Sequence, residues 1–271
     1  MSKKWFITGT SRGFGRQWAE AALQRGDTVA ATARSLGGLD DLVQTYGARI
    51  LPIALDVTDR EAVFAAVKRA RDSFDGLDVV VNNAGYGHFG MIEEVTEQEL
   101  RAQMEANFFG TFWVTQAALP YLRQQKSGHI IQVSSIGGIT AFPTIGAYHA
   151  SKWAVEAFTQ SLAAEVAQFG IHVTAIEPGG YSTDWAGASA KTSAPIHDYD
   201  ALRQAVRDDR ATEVLGDPSA TGAVVLKLVD MDEPPTRIFF GSTPLPIARN
   251  DYEARLAQWE KWNDLSVEAR G

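Results

Sequence analysis

The sequence predicts an α/β fold, a doubly wound parallel sheet of about seven strands with helices on both faces. Three observations support this prediction. Short apolar runs rich in β-branched residues alternate with longer segments of helical periodicity, which is typical of a parallel sheet covered by helices. The first of these runs leads directly into a glycine-rich turn and a helix. The length suits one domain, so residues 1–271 are predicted to form a single unit.

The predicted strands are short and mostly apolar throughout, as expected for strands buried on both faces. In chain order they are Lys4–Thr8, Thr28–Thr32, Arg49–Leu55, Val79–Asn82, His129–Ser134, His172–Ile176 and Arg237–Gly241. The main helices predicted between them are Gly13–Arg25, Asp59–Phe74, Glu97–Gln124, Ala147–Phe169 and Pro218–Val229. Pro120 is expected to bend or end part of the third helix, because proline lacks a main-chain N–H group. Sheets of this kind bind ligands at the carboxyl ends of their strands.

Two regions lie outside this alternation. Residues 181–215 form a long stretch after the sixth strand, with a helical segment near Tyr199–Arg210, and are predicted to be a substrate loop or lid. Residues 244–271 form a C-terminal extension with an amphipathic helix at Asp251–Trp262. Packing of this helix on the body or on a partner subunit is favoured over a direct role in substrate binding.

The composition argues against several classes of protein. A formal net charge of −8 does not suit a nucleic-acid-binding surface, which requires a basic patch. The chain has no cysteine for disulfides or thiolate–metal sites, and its five histidines show no metal-ligand spacing. No apolar run approaches the roughly 18 residues of a membrane span, and the start does not resemble a signal peptide. A cytoplasmic protein without membrane, nucleic-acid or metal partners is expected.

A glycine-rich turn after the first predicted strand is a candidate phosphate-binding site. It reads Thr8-Gly9-Thr10-Ser11-Arg12-Gly13-Phe14-Gly15 and opens the first helix. Glycines allow a tight turn and a close approach of the backbone to phosphate, and the helix N-terminus offers free N–H groups to an anion. The turn lacks the Gly-Lys-Ser/Thr ending of a P-loop, which argues against ATP as its ligand.

A tyrosine, a lysine and a serine later in the chain form a candidate catalytic group. Tyr148 and Lys152 stand four residues apart, so they share one face of a helix, and Ser135 lies thirteen residues before Tyr148. An ammonium near a phenol lowers the pKa of the phenol from its ordinary value near 10. A tyrosine adjusted in this way can give a proton to a carbonyl oxygen or take one from an alcohol.

The spacing Gly-x-x-x-Gly-x-Gly, together with Tyr148-x-x-x-Lys152, resembles the classical short-chain dehydrogenase/reductase family. The other motifs of that family follow in the same order, over about residues 4–183: Asn82–Gly85, Asn107, Ser134–Ser135, Pro178–Gly179 and Thr183. The resemblance implies a Rossmann-type fold and hydride transfer between a nicotinamide cofactor and a carbonyl compound or secondary alcohol. It also implies a homodimer or homotetramer.

The resemblance further implies roles for the site residues. Tyr148 would exchange a proton with the substrate oxygen, Lys152 would bind the nicotinamide ribose and lower the tyrosine pKa, and Ser135 would hold the substrate oxygen. Asn107 would support a water relay to Lys152, and Thr183 would hold the nicotinamide carboxamide. The residues implied in cofactor binding are Gly9, Ser11, Arg12, Gly13, Phe14, Gly15, Arg34, Asp56, Val57, Asn83, Ala84, Gly85, Tyr148, Lys152, Pro178, Gly179 and Thr183.

A preference for NADP(H) over NAD(H) is predicted from the end of the second strand. An acidic residue about 20 positions past the glycine turn would bind the 2′-hydroxyl of NAD, but this strand ends in Ala33 and Arg34. Arg34 suits a 2′-phosphate instead, and Arg12 in the turn offers a second basic group. Asp56 after the third strand resembles the family residue beside the adenine, whereas Asp59 is the predicted cap of the following helix.

The sequence is less informative about the substrate. The predicted pocket walls are mainly apolar and aromatic: Phe89, Ile139, Phe142, Ile145, Tyr181 and Trp185. They favour a ketone or aldehyde with hydrophobic bulk, and no clear basic clamp for a carboxylate or phosphate substrate is evident. A non-catalytic NADP(H)-binding sensor or scaffold is the alternative hypothesis, and epimerisation or dehydration of a nucleotide sugar ranks last.

Overall fold

The computed structural model describes residues 2–187 and 189–270; Met1, Ala188 and Gly271, which belong to the predicted domain, loop and extension, lie outside this range. The predicted sheet is present and has seven strands. They are β1 (Lys4–Ile7), β2 (Thr28–Ala33), β3 (Ile50–Ala54), β4 (Val79–Asn82), β6 (Gly128–Val133), β7 (Ile171–Pro178) and β9 (Arg237–Phe240). Their order is β3-β2-β1-β4-β6-β7-β9, and every neighbouring pair is parallel. Strand order reverses between β1 and β4, which is the position where such sheets bind ligands.

Helices cover both faces of this sheet. On one face lie α1 (Gly13–Arg25), α2 (Asp40–Tyr46) and α8 (Thr221–Val229), and on the other α3 (Arg60–Phe74), α5 (Gly110–Gln125) and α6 (Gly146–Val166). The remaining elements are α4 (Glu97–Met104), α7 (Asp200–Ala211), α9 (Pro244–Lys261), α10 (Asn263–Glu268) and a separate two-stranded ribbon of β5 (His88–Phe89) and β8 (Lys191–Thr192).

The core divides into two clusters because successive strand residues point to opposite faces of a sheet. In β1, Trp5 and Ile7 pack into one cluster, with Trp18 of α1, and Phe6 between them packs into the other. All these side chains are fully buried or nearly so. The sheet is therefore held rigidly from both sides, and the ends of its strands form a fixed platform for a site.

The predicted helices and strands of the sheet are confirmed to within a few residues, and α1 matches at both ends. Pro120 does not end its helix, since α5 continues to Gln125; the expected bend at this residue stays a prediction. Buried Ala117, Ala118 and Leu122 hold the helix against the core on both sides of the proline. The sequence did not predict α2, β5 or β8, because they are too short to show a clear periodicity.

The two regions outside the alternation contain helices, as predicted. The 181–215 stretch carries β8 and α7, and the C-terminal helix α9 begins at Pro244, earlier than expected. Arg255 of α9 stacks over the ring of Trp153 on α6, while Trp259 is exposed on the outer side. Within residues 2–187 and 189–270, no helix combines the length and apolar character needed to cross a membrane.

Candidate active site

Tyr148 and Lys152 lie in the first turns of α6 and are almost completely buried, with 5% and 6% of their surfaces exposed. The Lys152 ammonium donates a hydrogen bond to the carbonyl oxygen of Val133 at 2.7 Å, at the carboxyl end of β6. Its Nζ atom lies 5.8 Å from the centre of the Tyr148 ring. The predicted pair is therefore placed at the edge of the sheet where ligands bind.

Burial dominates the electrostatics of this pair. It raises the pKa of Tyr148 to about 12, against smaller lowering effects of the Ser135 hydroxyl and the charge of Arg210. Burial likewise lowers the pKa of Lys152 to about 8, partly offset by the negative charge of Glu156. The expected lowering of the tyrosine pKa by Lys152 is thus not found: the groups that lower it are Ser135 and Arg210, and desolvation by burial outweighs both. The protein by itself holds Tyr148 protonated at neutral pH.

Ser135 begins a short turn that brings the loop after β6 close to α6. Its Oγ accepts a hydrogen bond from the N–H of Gly137 at 3.0 Å. His149 fastens the same loop: Nδ1 lies 2.7 Å from the carbonyl oxygen of Gly137, and Nε2 accepts from the N–H of Phe142 at 2.9 Å. Burial lowers the pKa of His149, which keeps it neutral with the proton on Nδ1. His149 is therefore a buried support for the Ser135 loop.

Asn107 is fully buried in a π-helical turn, Glu105–Phe109, that joins α4 to α5. Its amide accepts from the N–H of Tyr86 and donates to the carbonyl of Tyr86, each at 3.0 Å, and also donates to Ser151 Oγ at 3.0 Å. Turns of this kind are frequent at functional sites. Asn107 therefore links the segment after β4 to the catalytic helix α6.

The glycine turn is closely packed against the end of β4. A Cβ atom at Gly15 would lie 2.4 Å from both the Gly9 oxygen and Asn83 Nδ2, and Gly9 has a φ of +69°. Asn83 donates to the carbonyl oxygens of Thr8 and Gly9, at 2.9 and 3.0 Å. The turn thus presents bare backbone and the start of α1 to the space above it, and these residues fit the pyrophosphate of a dinucleotide.

The residues predicted to select the cofactor surround this turn. Arg34 is exposed directly after β2. Burial raises the pKa of Tyr86, and the nearby charge of Arg34 partly offsets this effect. Arg12 pairs with Asp184 at 3.3 Å across the turn. Asp56 accepts from the N–H and the hydroxyl of Thr58, and Asp59 caps α3 as predicted.

Other predicted cofactor residues lie beside the turn or brace the sheet edge next to it. Thr183 lies within contact distance of Gly13. A Cβ atom added at Gly13 would be 3.9 Å from the Thr183 side chain. The main-chain N–H of Ala84 donates to Thr8 Oγ1, and the N–H of Gly179 donates to the carbonyl of Phe240, both at 3.0 Å. Val57 packs against Gly110 on α5.

Aromatic side chains cover the catalytic tyrosine. The ring of Trp185 lies edge-on to Tyr148 at 4.8 Å, and the ring of Phe89 is 5.5 Å from Trp185. Trp185 also packs on the backbone of Gly87, where a Cβ would lie 2.7 Å from its indole. Phe89 and Trp185, two predicted pocket walls, are therefore brought together above the site.

The other four predicted wall residues have different surroundings. Ile139 and Ile145 are buried in the loop that precedes α6 and at its start, and Phe142 contacts the His149 ring at 5.6 Å. Tyr181 is separate from them: its ring lies 4.9 Å from that of Phe14 on α1. Tyr181 thus helps to support the glycine turn instead of joining Phe89 and Trp185.

A cavity of about 280 Å³ lies beyond Phe89 and contains residues that sequence reasoning missed. Three arginines of α7 line it, Arg203, Arg207 and Arg210. Arg203 is paired with the buried carboxylate of Glu94 and, at 2.7 Å, with Asp200. The spacing of these arginines, i, i+4 and i+7, marks one helix face and was a usable signal. Only the tertiary structure shows that this face of α7 lines the cavity.

A second missed feature is a pair of buried carboxyls, Glu156 and Glu177, near Lys152. Glu156 lies one helical turn after Lys152, and burial raises the pKa of both carboxyls. Arg237 approaches them at 3.5 and 3.8 Å. The pair adds to the electrostatic environment that adjusts Lys152.

A glycine turn that fits a pyrophosphate and a buried tyrosine–lysine pair, at one edge of a parallel sheet, are features of a dinucleotide-dependent oxidoreductase. Residues 3–194 match the short chain dehydrogenase family model, and the chain belongs to this family.

Two relatives extend over nearly the whole chain. Oxidoreductase BOA17 of Botryotinia fuckeliana is 46% identical over 272 residues, covering 98% of this chain and 99% of that protein. A solved short-chain dehydrogenase from Streptomyces avermitilis is 36% identical, with a TM-score of 0.93 over 99% of each chain. An alcohol dehydrogenase from the archaeon Thermococcus sibiricus, solved with 5-hydroxy-NADP, is 26% identical and has a TM-score of 0.75, covering 90% of this chain and 98% of that one.

Proposed function

We propose that this protein is an NADP(H)-dependent oxidoreductase that transfers hydride between the nicotinamide and a carbonyl compound or secondary alcohol. The observation that carries the proposal is the buried Tyr148–Lys152 pair, which lies at the same sheet edge as the glycine turn. A protein that only bound the cofactor would not need a buried proton donor with an adjacent ammonium. A non-catalytic sensor is therefore the weaker hypothesis.

The cofactor would lie across the carboxyl ends of the strands, with its pyrophosphate over Gly13 and the start of α1. Arg34 and Arg12 would hold the 2′-phosphate, and Thr183 would hold the carboxamide. When bound, the nicotinamide supplies or accepts the hydride.

The protein's own residues manage the proton and the substrate oxygen. Tyr148, protonated at neutral pH, would donate to the carbonyl oxygen during reduction, while the Ser135 hydroxyl holds that oxygen in place. The pKa of Lys152, about 8, is close to neutral pH, which suits this residue to passing a proton toward Tyr148. Asn107 would hold the relay to Lys152, because it already joins the Tyr86 segment to Ser151 on α6. Trp185 excludes water from the tyrosine.

Three observations support NADP(H) over NAD(H). No carboxylate stands at Ala33 or Arg34, where NAD-specific sites of this fold have one. Arg34 is exposed at the end of β2 and has no ion-pair partner among the described residues. Arg12 is engaged by Asp184, but both side chains are about half exposed, and such pairs contribute only about 0–1 kcal/mol, so a phosphate can displace the carboxylate.

A homo-oligomer is also proposed, and one surface supports it. Partly exposed aromatic side chains from the π-helical turn, α5 and α6 contact one another: Phe108, Phe109, Phe112, Trp113 and Phe158. Contiguous apolar surface of this kind marks interaction sites. Light scattering after size-exclusion chromatography would give the mass directly, and a monomer at micromolar concentration would contradict the proposal.

The test of the proposed function is Tyr148→Phe, which removes only the phenolic oxygen. Reduction of aryl and alkyl ketones, followed by NADPH absorbance, should fall by about 10²–10⁴-fold, because a general acid contributes about that much. NADPH affinity should stay within about twofold of the wild type. Tyr46→Phe, on α2, is the matched control and should leave turnover unchanged. Wild-type turnover by Tyr148→Phe, or tight NADPH binding without turnover of any ketone by the wild type, would contradict the proposal.

A further inference from the structure

We infer that the substrate carries an anionic group, a carboxylate or a phosphate, which the guanidinium groups of Arg207 and Arg210 bind in the cavity beyond Phe89. The inference rests on the proposed carbonyl reduction and names its substrate class. It adds an anionic group to the ketone or aldehyde with hydrophobic bulk that the sequence favours.

The position of Arg210 links the cavity to the catalytic site. Its guanidinium carbon lies 5.1 Å from the centre of the Phe89 ring and 5.9 Å from that of Trp185. Trp185 in turn contacts the Tyr148 ring at 4.8 Å. The charge of Arg210 is close enough to lower the pKa values of Tyr148 and His149. A molecule with its carbonyl at Tyr148 and a short extension would therefore reach Arg210.

The charges lining the cavity leave room for an added anion. Glu94 is the buried carboxylate there, and Arg203 already pairs with it. Arg207 and Arg210 make no ion pair with any of the residues that the structure describes. Two guanidinium groups one turn apart on a helix suit the two oxygens of a carboxylate or the oxygens of a phosphate.

Apolar side chains also line the cavity, beside the polar Thr144, Thr192 and Ser193, and they can receive the part of the substrate that joins its two ends. Phe89, Met91, Ala186, Ala190 and Val206 line it together with the arginines. A cavity of about 280 Å³ accommodates a small aromatic or aliphatic group. The substrate class is thus a ketone or aldehyde joined through an apolar group to an anion.

The experiment compares 4-acetylbenzoate, its methyl ester and 4-acetylphenyl phosphate as substrates with NADPH. The wild type should reduce one of the two anionic ketones with a kcat/KM at least tenfold above that of the ester. The preferred anion identifies the group as carboxylate or phosphate. Arg210→Gln should lower kcat/KM for that anion by about 10- to 100-fold, since a hydrogen bond to a charged group contributes about that factor. The same variant should change kcat/KM for the ester by less than threefold.

Three further variants separate recognition from structure. Arg207→Gln should reduce the preference for the anion, and Arg210→Lys should retain part of it by keeping the charge. Arg69 is an exposed arginine on α3, and Arg69→Gln should leave kcat/KM for both the anion and the ester unchanged. Equal losses for the ester and the anion in Arg210→Gln would show that the arginine only packs on the rings, and would overturn the inference. A wild-type preference for the ester would overturn it as well.

Calorimetric titration of the NADP⁺ complex with the same three compounds tests recognition without turnover. If no ketone is reduced but the anions bind more tightly to the wild type than to Arg210→Gln, the proposed reaction fails and the anion site stands. If the ketones are reduced but the anions bind no better than the ester, the reaction stands and the anion site fails.

Discussion

Replacement of Gly15 by alanine tests whether the glycine turn is shaped to hold a dinucleotide. Gly15 is the second glycine of α1 and is buried. A Cβ atom there would lie 2.4 Å from the main-chain oxygen of Gly9, whereas ordinary van der Waals contacts of such an atom begin at 3.4 Å. The Gly9 carbonyl or the start of α1 would have to move by about 1 Å.

The magnitude follows from what this movement disturbs. Overpacking of a close contact costs about 1–3 kcal/mol. Asn83 Nδ2, also 2.4 Å from the added atom, would lose one or both of its bonds to the Thr8 and Gly9 carbonyls, at about 0.5–1.5 kcal/mol each. We expect Gly15→Ala to lower the free energy of unfolding by about 1.5–6 kcal/mol, the sum of these two contributions. NADPH affinity should fall by at least about tenfold, because the phosphate-binding N–H groups shift with the turn.

Urea unfolding and calorimetric titration with NADPH measure the two effects separately. Gly37→Ala is the matched control, because a Cβ at Gly37 meets nothing within 4 Å and its backbone does not require glycine. The control should keep the wild-type stability and affinity. If Gly15→Ala binds NADPH as tightly as the wild type and unfolds at the same urea concentration, the assignment of this turn to the pyrophosphate is wrong.

Two further predictions concern cofactor choice and pH. Ala33→Asp combined with Arg34→Ala should lower the ratio of kcat/KM with NADPH to kcat/KM with NADH by at least about tenfold. The reason is that a 2′-phosphate would lose a charged partner and meet a carboxylate. A wild type that already prefers NADH would contradict the reasoning. Burial lowers the pKa of His129 from 6.5 to about 3, so its contribution to stability is complete above pH 6.5 and is lost as the pH falls toward 3. Between pH 7 and 5 the wild type should therefore lose about 2 kcal/mol more unfolding free energy than His129→Gln. His172→Gln, at the position paired with His129 on β7, is the control and should lose nearly as much unfolding free energy between pH 7 and 5 as the wild type. Equal pH dependence of stability in His129→Gln and the wild type would refute the argument.

Local patterns in the chain were sufficient for the sheet, the glycine turn and the catalytic helix. Strand and helix periods are properties of neighbouring residues, and the four-residue spacing of Tyr148 and Lys152 places them on one face of any helix. Asp59 was correctly distinguished from Asp56 as the cap of α3 for the same reason, since capping involves only the next few residues.

The surroundings of the catalytic tyrosine required the tertiary structure. The aromatic cover by Phe89 and Trp185, the His149 support of the Ser135 loop and the Arg210 contact join residues from separate segments. A hydrophobic or charged residue shows in sequence that it has a preferred environment, but it does not show which distant segment will provide it. The raised pKa of Tyr148 has the same origin, because desolvation depends on everything packed around the ring.

The chain's local patterning thus determined the fold, the glycine turn and the Tyr148–Lys152 pair. Only the packing of the 181–215 segment over the sheet edge decided what a substrate would meet there. The physical reason is that periodicity identifies the buried face of an element, whereas the partner of that face is chosen by long-range contacts. Those contacts place Trp185 on Tyr148 and turn the arginine face of α7 toward the cavity.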